Sequence, residues 1–254
     1  MEAELIASLG NDLTVVNAAR VSFDKESDWK KNVTSPPTDK ELYNKDIKLI
    51  KYLAKHNHFT PFTHCSITLR ETVPIFVARQ RFKHTIGFTY NEVSRRYVDD
   101  DPDFYSPELW RFRADNIKQG SDEEGMTERE LNKELWWISP SVDGVYRALD
   151  QTVSTPKDIY STCIRTYKAL LSLKVCPEQA RMVLPQAMYT SYYVTGSLAA
   201  FARAYNLRSE ETAQEEIKEL AAKWNEIISK LFPESWKALT NNSSNNNKDE
   251  EVIH

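Results

Sequence analysis

The chain has 254 residues, 41% of them apolar and 28% charged, which is the mixture of a globular protein long enough to bury its own core. Its 33 Lys and Arg stand against 37 Asp and Glu, a net charge of −4 that argues against a general nucleic-acid-binding protein. No apolar run approaches the roughly 18 residues of a membrane span. The opening MEAELIASLGND has no basic segment and no long apolar one, so the expectation is a cytoplasmic protein without a signal peptide or membrane partner.

In chain order, Val15, Val16, Ala18, Ala19 and Val21 predict a short helix running into an extended piece. Thr38 and Glu41 form a capping box before a helix carrying Leu42, Tyr43, Ile47, Leu49, Ile50 and Leu53. Phe62 to Val73 reads as a strand, and Pro74 suits the first turn of a helix reaching about His84. Gly87 breaks that helix, and Glu92 to Val98 reads as extended. Residues 99–150 form a surface excursion, acidic at Asp99 to Asp103, with a short helix around Glu130 to Trp137. Thr155 and Pro156 open a helix with an apolar stripe of Ile159, Cys163, Ile164, Tyr167, Leu170 and Leu171. Pro177 opens a shorter helix that Pro185 ends, and Ala187 to Thr195 is a strand. Thr212 and Glu215 form a second capping box, before the stripe Ile217, Leu220, Ala221, Trp224, Ile227, Ile228 and Leu231. The expected organisation is one domain over residues 1–240 and a disordered polar tail over 241–254.

Three thiols, an odd count, are expected to stay reduced. Cys65 follows His64 on an expected strand, where adjacent side chains face opposite ways, so that base cannot easily reach it. Cys163 lies on an apolar stripe. Cys176 sits at a helix start, which can lower a thiol pKa, although a structural role is the expectation. The six glycines form neither GxGxxG nor GxxxxGK, so a Rossmann fingerprint and a Walker loop are both absent. Four histidines fall between His56 and His84, but their spacing does not suit a zinc site and no metal is expected. His56 and His58 can equally cap the preceding helix or belong to a polar site. The segment from Arg79 to Arg96 interleaves Arg79, Arg81, Lys83, His84, Arg95 and Arg96 with aromatic and hydroxyl residues. Two readings stay open there: a solvated face paired with acids, or a site for a phosphorylated small molecule.

Several separated motifs at these residues resemble those of the flavin-dependent thymidylate synthases (ThyX, thymidylate synthase-complementing proteins). They are NAARVSF (Asn17 to Phe23), HFTPFTH (His58 to His64), PIFVARQ (Pro74 to Gln80), NEVSRRY (Asn91 to Tyr97), ARMVLPQAMYT (Ala180 to Thr190) and LRSEETAQEEI (Leu207 to Ile217). Their order and spacing cover about Asp12 to Trp236. The family signature, R-H-R and seven residues before Ser, is Lys83-His84-Thr85 with eight residues before Ser94 here. Ser197, Ala199 and Thr212 stand where the family has Asn, Arg and His.

The resemblance implies an α+β fold, a mixed or antiparallel sheet flanked by helices, with no Rossmann unit. It implies a homotetramer with active sites between subunits. The implied reaction is reductive methylation of dUMP to dTMP with FAD, NADPH and 5,10-methylenetetrahydrofolate, without a cysteine nucleophile. Arg208 is the implied catalytic cation. Gln80, Arg81, Phe82, Lys83, Glu92, Val93, Ser94, Arg95, Arg96, Arg181 and Arg208 are implied at dUMP. Ser22, His58, Thr60, Lys83, His84, Thr85, Glu92, Ser197 and Arg203 are implied at FAD. The alternatives are a catalytically degenerate nucleotide- or RNA-binding module on the same scaffold, and a cysteine-dependent enzyme acting on dUMP.

Overall fold

A computed structural model describes residues 1–30, 41–98, 100–115, 120–137 and 154–241. The chain forms two compact units. The first comprises Met1–Thr72, Arg79–Glu92 and Ser191–His254, and the second Val73–Ala78 and Val93–Thr190.

The first unit is built on a four-stranded sheet of order β1-β2-β6-β3, where β1 is Glu2–Leu9, β2 Ser66–Pro74, β3 Phe88–Glu92 and β6 Tyr189–Ser197. β1 runs antiparallel to β2, from Glu2 opposite Thr72 to Leu9 opposite Ser66, with an irregularity between Leu5 and Ala7. β3 runs antiparallel to β6, from Phe88 opposite Gly196 to Glu92 opposite Tyr192. Side chains pair Thr68 with Thr195 and Thr72 with Ser191, so β2 and β6 also run in opposite directions. Phe88 lies against Gly196, where a Cβ would come within 2.4 Å of its ring. Glycine is therefore required for that close approach.

Helices α1 (Asp12–Arg20), α2 (Asn44–Lys55), α3 (Thr60–Thr63), α8 (Leu198–Arg208), α9 (Glu215–Leu231) and α10 (Pro233–Thr240) complete this unit. The stripe expected on α9 is its core face: Ile217, Leu220, Ala221, Trp224 and Ile228 are fully buried. Asn11 and Thr14 form a capping box at the start of α1. Asp12 accepts from the backbone N–H groups of Glu234 and Ser235, both at 2.9 Å, and so caps α10. In the second unit, β4 (Leu109–Arg111) pairs with β5 (Gly125–Thr127), followed by α5 (Glu128–Trp137), α6 (Pro156–Ser172) and α7 (Pro177–Ala180). Thr155 and Asp158 cap α6 reciprocally. Helix α4 (Ile75–Arg81) carries residues of both units. The architecture is the expected α+β, with antiparallel pairing and flanking helices.

Several local expectations change. The piece after α1 is a 3-10 turn, Val21–Phe23, rather than extended. β2 starts at Ser66, because Pro61 fits a first helical turn and Thr60–Thr63 becomes α3. Thr38 lies outside the described residues, and α2 opens at Asn44 with Tyr43 before it. β3 ends at Glu92, and Arg95 to Tyr97 turn. Gln214, not Thr212, precedes α9, and its side chain makes no cap. Only Tyr167 of the α6 stripe is fully buried within the described chain. Trp136 and Trp137 end α5; the tail beyond 241 and, within the 99–150 excursion, residues 99, 116–119 and 138–150 lie outside the described residues.

At the centre of the first unit Glu71 and Arg81 form an ion pair with both side chains wholly inaccessible, Arg81 Nε lying 3.1 Å from the carboxylate. Trp224 Nε1 donates to Glu71 at 2.9 Å and Tyr192 Oη at 2.6 Å. The Arg81 guanidinium lies over the rings of Phe88 and Trp224, 4.4 and 4.6 Å from their centroids. Removing one partner of such a pair strands the other charge without water. Arg81→Met is therefore expected to cost about 3–5 kcal/mol of stability, read as a lower urea midpoint. An unchanged midpoint would show that the pair does not hold this core.

Candidate functional site

The end of α4 and the end of α8 bring the principal residues together. After Arg81 the chain turns tightly: Lys83 N–H donates to the Gln80 carbonyl at 3.3 Å, and His84 N–H to that of Arg81 at 3.1 Å. Gly87, with φ +79, then sends it into β3 in a conformation other residues adopt only with strain. The turn exposes Lys83 and Thr85 and buries His84, which is 7% exposed. Arg208, the last residue of α8, donates from Nε to His84 Nε2 at 2.9 Å and from Nη2 to the Gln80 carbonyl at 3.4 Å. A guanidinium has only donors. His84 Nε2 must therefore offer its lone pair, and the imidazole is neutral. Its pKa is lowered to about 4, first by burial and then by the cations of Arg208, Arg81 and Arg203.

Gln80 itself is oriented by two residues that sequence reasoning did not assign to the site. Its Nε2 donates to Gln214 Oε1, and Gln214 Nε2 donates to Glu216 at 2.7 Å. Glu216, as an acceptor-only carboxylate, fixes which way both amides face. Both residues sit inside the quoted LRSEETAQEEI run, so the motif contained the signal, but nothing in the spacing gave it a role.

Among the residues expected at dUMP, Gln80 and Arg208 thus meet in the first unit. Phe82 packs edge-on to Tyr90 and Tyr192, with centroids 5.0 and 4.8 Å away. Arg81 is placed differently from the expectation: it is fully buried on Glu71 and Tyr90, with no surface to offer a ligand. Val93, Ser94, Arg95, Arg96 and Arg181 belong to the second unit. There Arg96 bends onto Ser94 Oγ at 3.2 Å and lies 3.8 Å from Glu178 on α7, whose end Arg181 follows. Ser94 and Arg96 thus lie by the first turn of α7 and Arg181 follows its last residue, while Arg95 is bound by Asp100 at 3.0 Å.

The residues expected at FAD all lie in the first unit. Ser22, His58, Thr60, Lys83, Thr85, Glu92 and Arg203 are exposed, and Arg203 Nη2 donates to the Ile86 carbonyl at 2.9 Å. Ser197 Oγ is engaged, accepting from the Ala200 N–H as the N-cap of α8. Large apolar residues flank several of them and are open to solvent: Val21 and Phe23 beside Ser22, Phe59 between His58 and Thr60, Ile86 beside Thr85. α3, which carries Thr60, packs on both α1 and α8.

Cys65 is not poised for attack. Cys65 is fully buried, and burial with the nearby Asp12 charge pushes it up to about 11. Cys163 is half-buried and Cys176 exposed. The expected capping by histidine is seen at His56, which ends α2 and lies against Tyr52, the ring centroids 4.4 Å apart. Among the described residues no three His, Cys, Asp or Glu gather to hold a metal, and no helix is long and apolar enough to cross a membrane.

The fold is α+β, and its first unit holds a guanidinium seated on a neutral histidine. Residues 4–234 match the family described as thymidylate synthase complementing protein. A flavin-dependent thymidylate synthase of Thermosipho melanesiensis is 36% identical over 230 residues, covering 91% of this chain and 84% of the relative. One of Thermotoga neapolitana is 36% identical over 231 residues, covering 91% and 85%. Among solved structures, the UMP/dUMP methylase PolB of Streptomyces cacaoi, bound with 5-Br UMP, is similar with a TM-score of 0.72 and 26% identity over 94% of this chain and 93% of that one. The chain belongs to the thymidylate synthase complementing protein family.

The state of His84 has a measurable consequence. A histidine whose pKa falls on folding takes up protons preferentially when unfolded, so stability is full above about pH 6.5 and declines as pH drops towards about 4. His84→Gln, which cannot titrate, is expected to flatten that part of the stability–pH curve. Identical slopes in chemical denaturation of the two proteins would contradict the burial of a neutral imidazole.

Proposed function

We infer that this chain is a flavin-dependent thymidylate synthase, a methyltransferase that converts dUMP to dTMP. Membership of the family and the names of its relatives support the reaction class. The observation that carries the reading at the site is Arg208, held by its Nε and Nη2 while its outer edge is left for a ligand, in a chain whose Cys65 is sealed away.

The residues fit a flavin nucleotide. Lys83 and Arg203 supply exposed cations for its diphosphate. Val21, Phe23, Phe59 and Ile86 supply apolar surface of the kind a flat ring covers. Ser22, His58, Thr60, Thr85 and Glu92 supply polar contacts among them. FAD, when bound, supplies the hydride that completes reduction of the added one-carbon unit. NADPH as reductant and 5,10-methylenetetrahydrofolate as carbon donor complete the proposal.

The chain's own part is electrostatic. A cysteine-dependent enzyme makes the pyrimidine C5 nucleophilic by adding a thiolate to the ring. Here Arg208, always charged and fork-shaped, stabilises negative charge on the ring and so raises the electron density at C5. Gln80 lies beside it. Ser94, Arg96 and Arg181 are of the residue types suited to the phosphate. Ser94 and the backbone from Glu92 to Arg95 complete the pocket from a neighbouring subunit of a homotetramer, as the family resemblance implies.

Purified protein is expected to carry an oxidised-flavin absorbance and to form dTMP from dUMP when given the donor and reductant. UMP belongs in the same assay, because the structural relative is described as a UMP/dUMP methylase. A colourless chain that takes up no FAD and makes no dTMP would overturn the reading. Arg208→Ala is expected to lower turnover by about 10²–10³-fold, with circular dichroism unchanged. Replacing Cys65, Cys163 and Cys176 by Ala, each measured per folded protein, is expected to leave methylation in place. Loss of turnover in any one would point to a thiol mechanism.

A further inference from the structure

The three residues Lys83, His84 and Thr85 occupy equivalent places in the family resemblance, yet the structure separates them. Lys83 and Thr85 face solvent, whereas His84 is buried and turned towards Arg208. The charged groups facing its ring are Arg208 and Arg203 from α8 and Arg81 from α4. All are cations, so a protonated ring there would set donor against donor. His84 is also held from behind. Tyr90 Oη donates to its carbonyl at 2.7 Å and accepts from Arg81 Nη1 at 2.7 Å, and Arg81 rests on Glu71.

The guanidinium geometry shows what this achieves. His84 Nε2 and the Gln80 carbonyl together occupy the Nε–Nη2 side of Arg208. Among the described residues nothing bonds the Nη1–Nη2 end, and that end presents two parallel N–H groups, the pattern that binds a planar oxygen-bearing edge bidentately.

We propose that His84 is a positioning residue for Arg208: its Nε2 lone pair fixes the guanidinium so that the Nη1–Nη2 end faces the pyrimidine edge of the nucleotide, and the imidazole itself does not bind the flavin. The proposal rests on the reading of this site as a pyrimidine-nucleotide site. It divides labour within the triplet, with Lys83 and Thr85 left for the cofactor and His84 serving the substrate through Arg208.

Nitrogen NMR of the full chain labelled with ¹⁵N-histidine tests the geometry without substrate or flavin. The expected result is an Nδ1–H tautomer with an unprotonated Nε2 that persists to about pH 5. Arg208→Lys, which keeps the charge but has no Nε–H, should shift the Nε2 resonance. An Nε2–H tautomer, a ring protonated at pH 6, or no response to Arg208→Lys overturns the proposal.

Binding measurements on the FAD-loaded enzyme test the role. His84→Ala should weaken dUMP about ten- to hundredfold, the scale of one charge-assisted hydrogen bond, with FAD affinity unchanged within about twofold. His84→Gln, whose Oε1 can accept from Arg208, should recover part of the loss. Weaker FAD with unchanged dUMP makes His84 a flavin ligand and overturns the proposal. A wild-type chain that binds no dUMP overturns the functional reading, and this proposal with it. A wild-type chain that binds dUMP as tightly as His84→Ala overturns the proposal alone.

Discussion

The carboxylate of Glu71 is the point to which the first unit is tied. It stands on β2 and accepts from Arg81 at the end of α4, from Tyr192 on β6 and from Trp224 on α9. Four elements therefore meet at one buried charge. Such a charge tolerates burial only when its lone pairs are filled, so each donor must stand where it does. The rings of Phe88, Tyr90, Phe201 and Trp224 around Arg81 close the enclosure and add cation–π attraction where water is excluded. This pair supplies specificity of arrangement as much as stability, since an apolar replacement of both partners could pack the same space without choosing the same geometry.

The site inherits its order from that pair. Arg81 passes a hydrogen bond to Tyr90, Tyr90 to the carbonyl of His84, and the His84 ring receives one from Arg208. A half-buried arginine is thus connected, through His84, to a fully buried ion pair of the described core. Long side chains at a surface normally lose much of their binding energy to rotamer entropy. Arg208 has that freedom removed in advance, which is the preorganisation that makes electrostatic stabilisation effective. The neutral state of His84 belongs to the same scheme: surrounding cations and burial keep it an acceptor.

The thiols show the complementary side of the chemistry. Cys65 packs against Gly10, where even one added methyl group would come within 2.7 Å of its sulfur, and its pKa moves away from that of a nucleophile. With no activated thiol in the first unit, negative charge on a bound pyrimidine must be met by a fixed cation. In the reading proposed above Arg208 is that cation, while Ser94, Arg96 and Arg181 belong to the second unit.

Much of this was legible along the chain. The apolar stripe of α9, the proline-led starts of α6 and α7 and the absence of a glycine-rich phosphate loop follow from local spacing and backbone preference, whereas the helix expected from Pro74 to about His84 is shorter, with Pro74 ending β2 and α4 spanning Ile75–Arg81 well before Gly87. The motif runs around Gln80 to Arg96 and Leu207 to Ile217 contain Gln80, His84 and Arg208, which the fold brings together, because a signature of residue types survives without coordinates. β1 was not legible: nearly all its residues are exposed, so the alternation that marks a strand is missing and only its pairing with β2 creates it. The sequence by itself determined which residues are charged, which are apolar and how they repeat. Only tertiary structure decided that Arg81 turns inward to Glu71 while Arg208 stays at the surface on His84, because two arginines are chemically identical until distant strands and helices give one a buried carboxylate and the other a neutral ring.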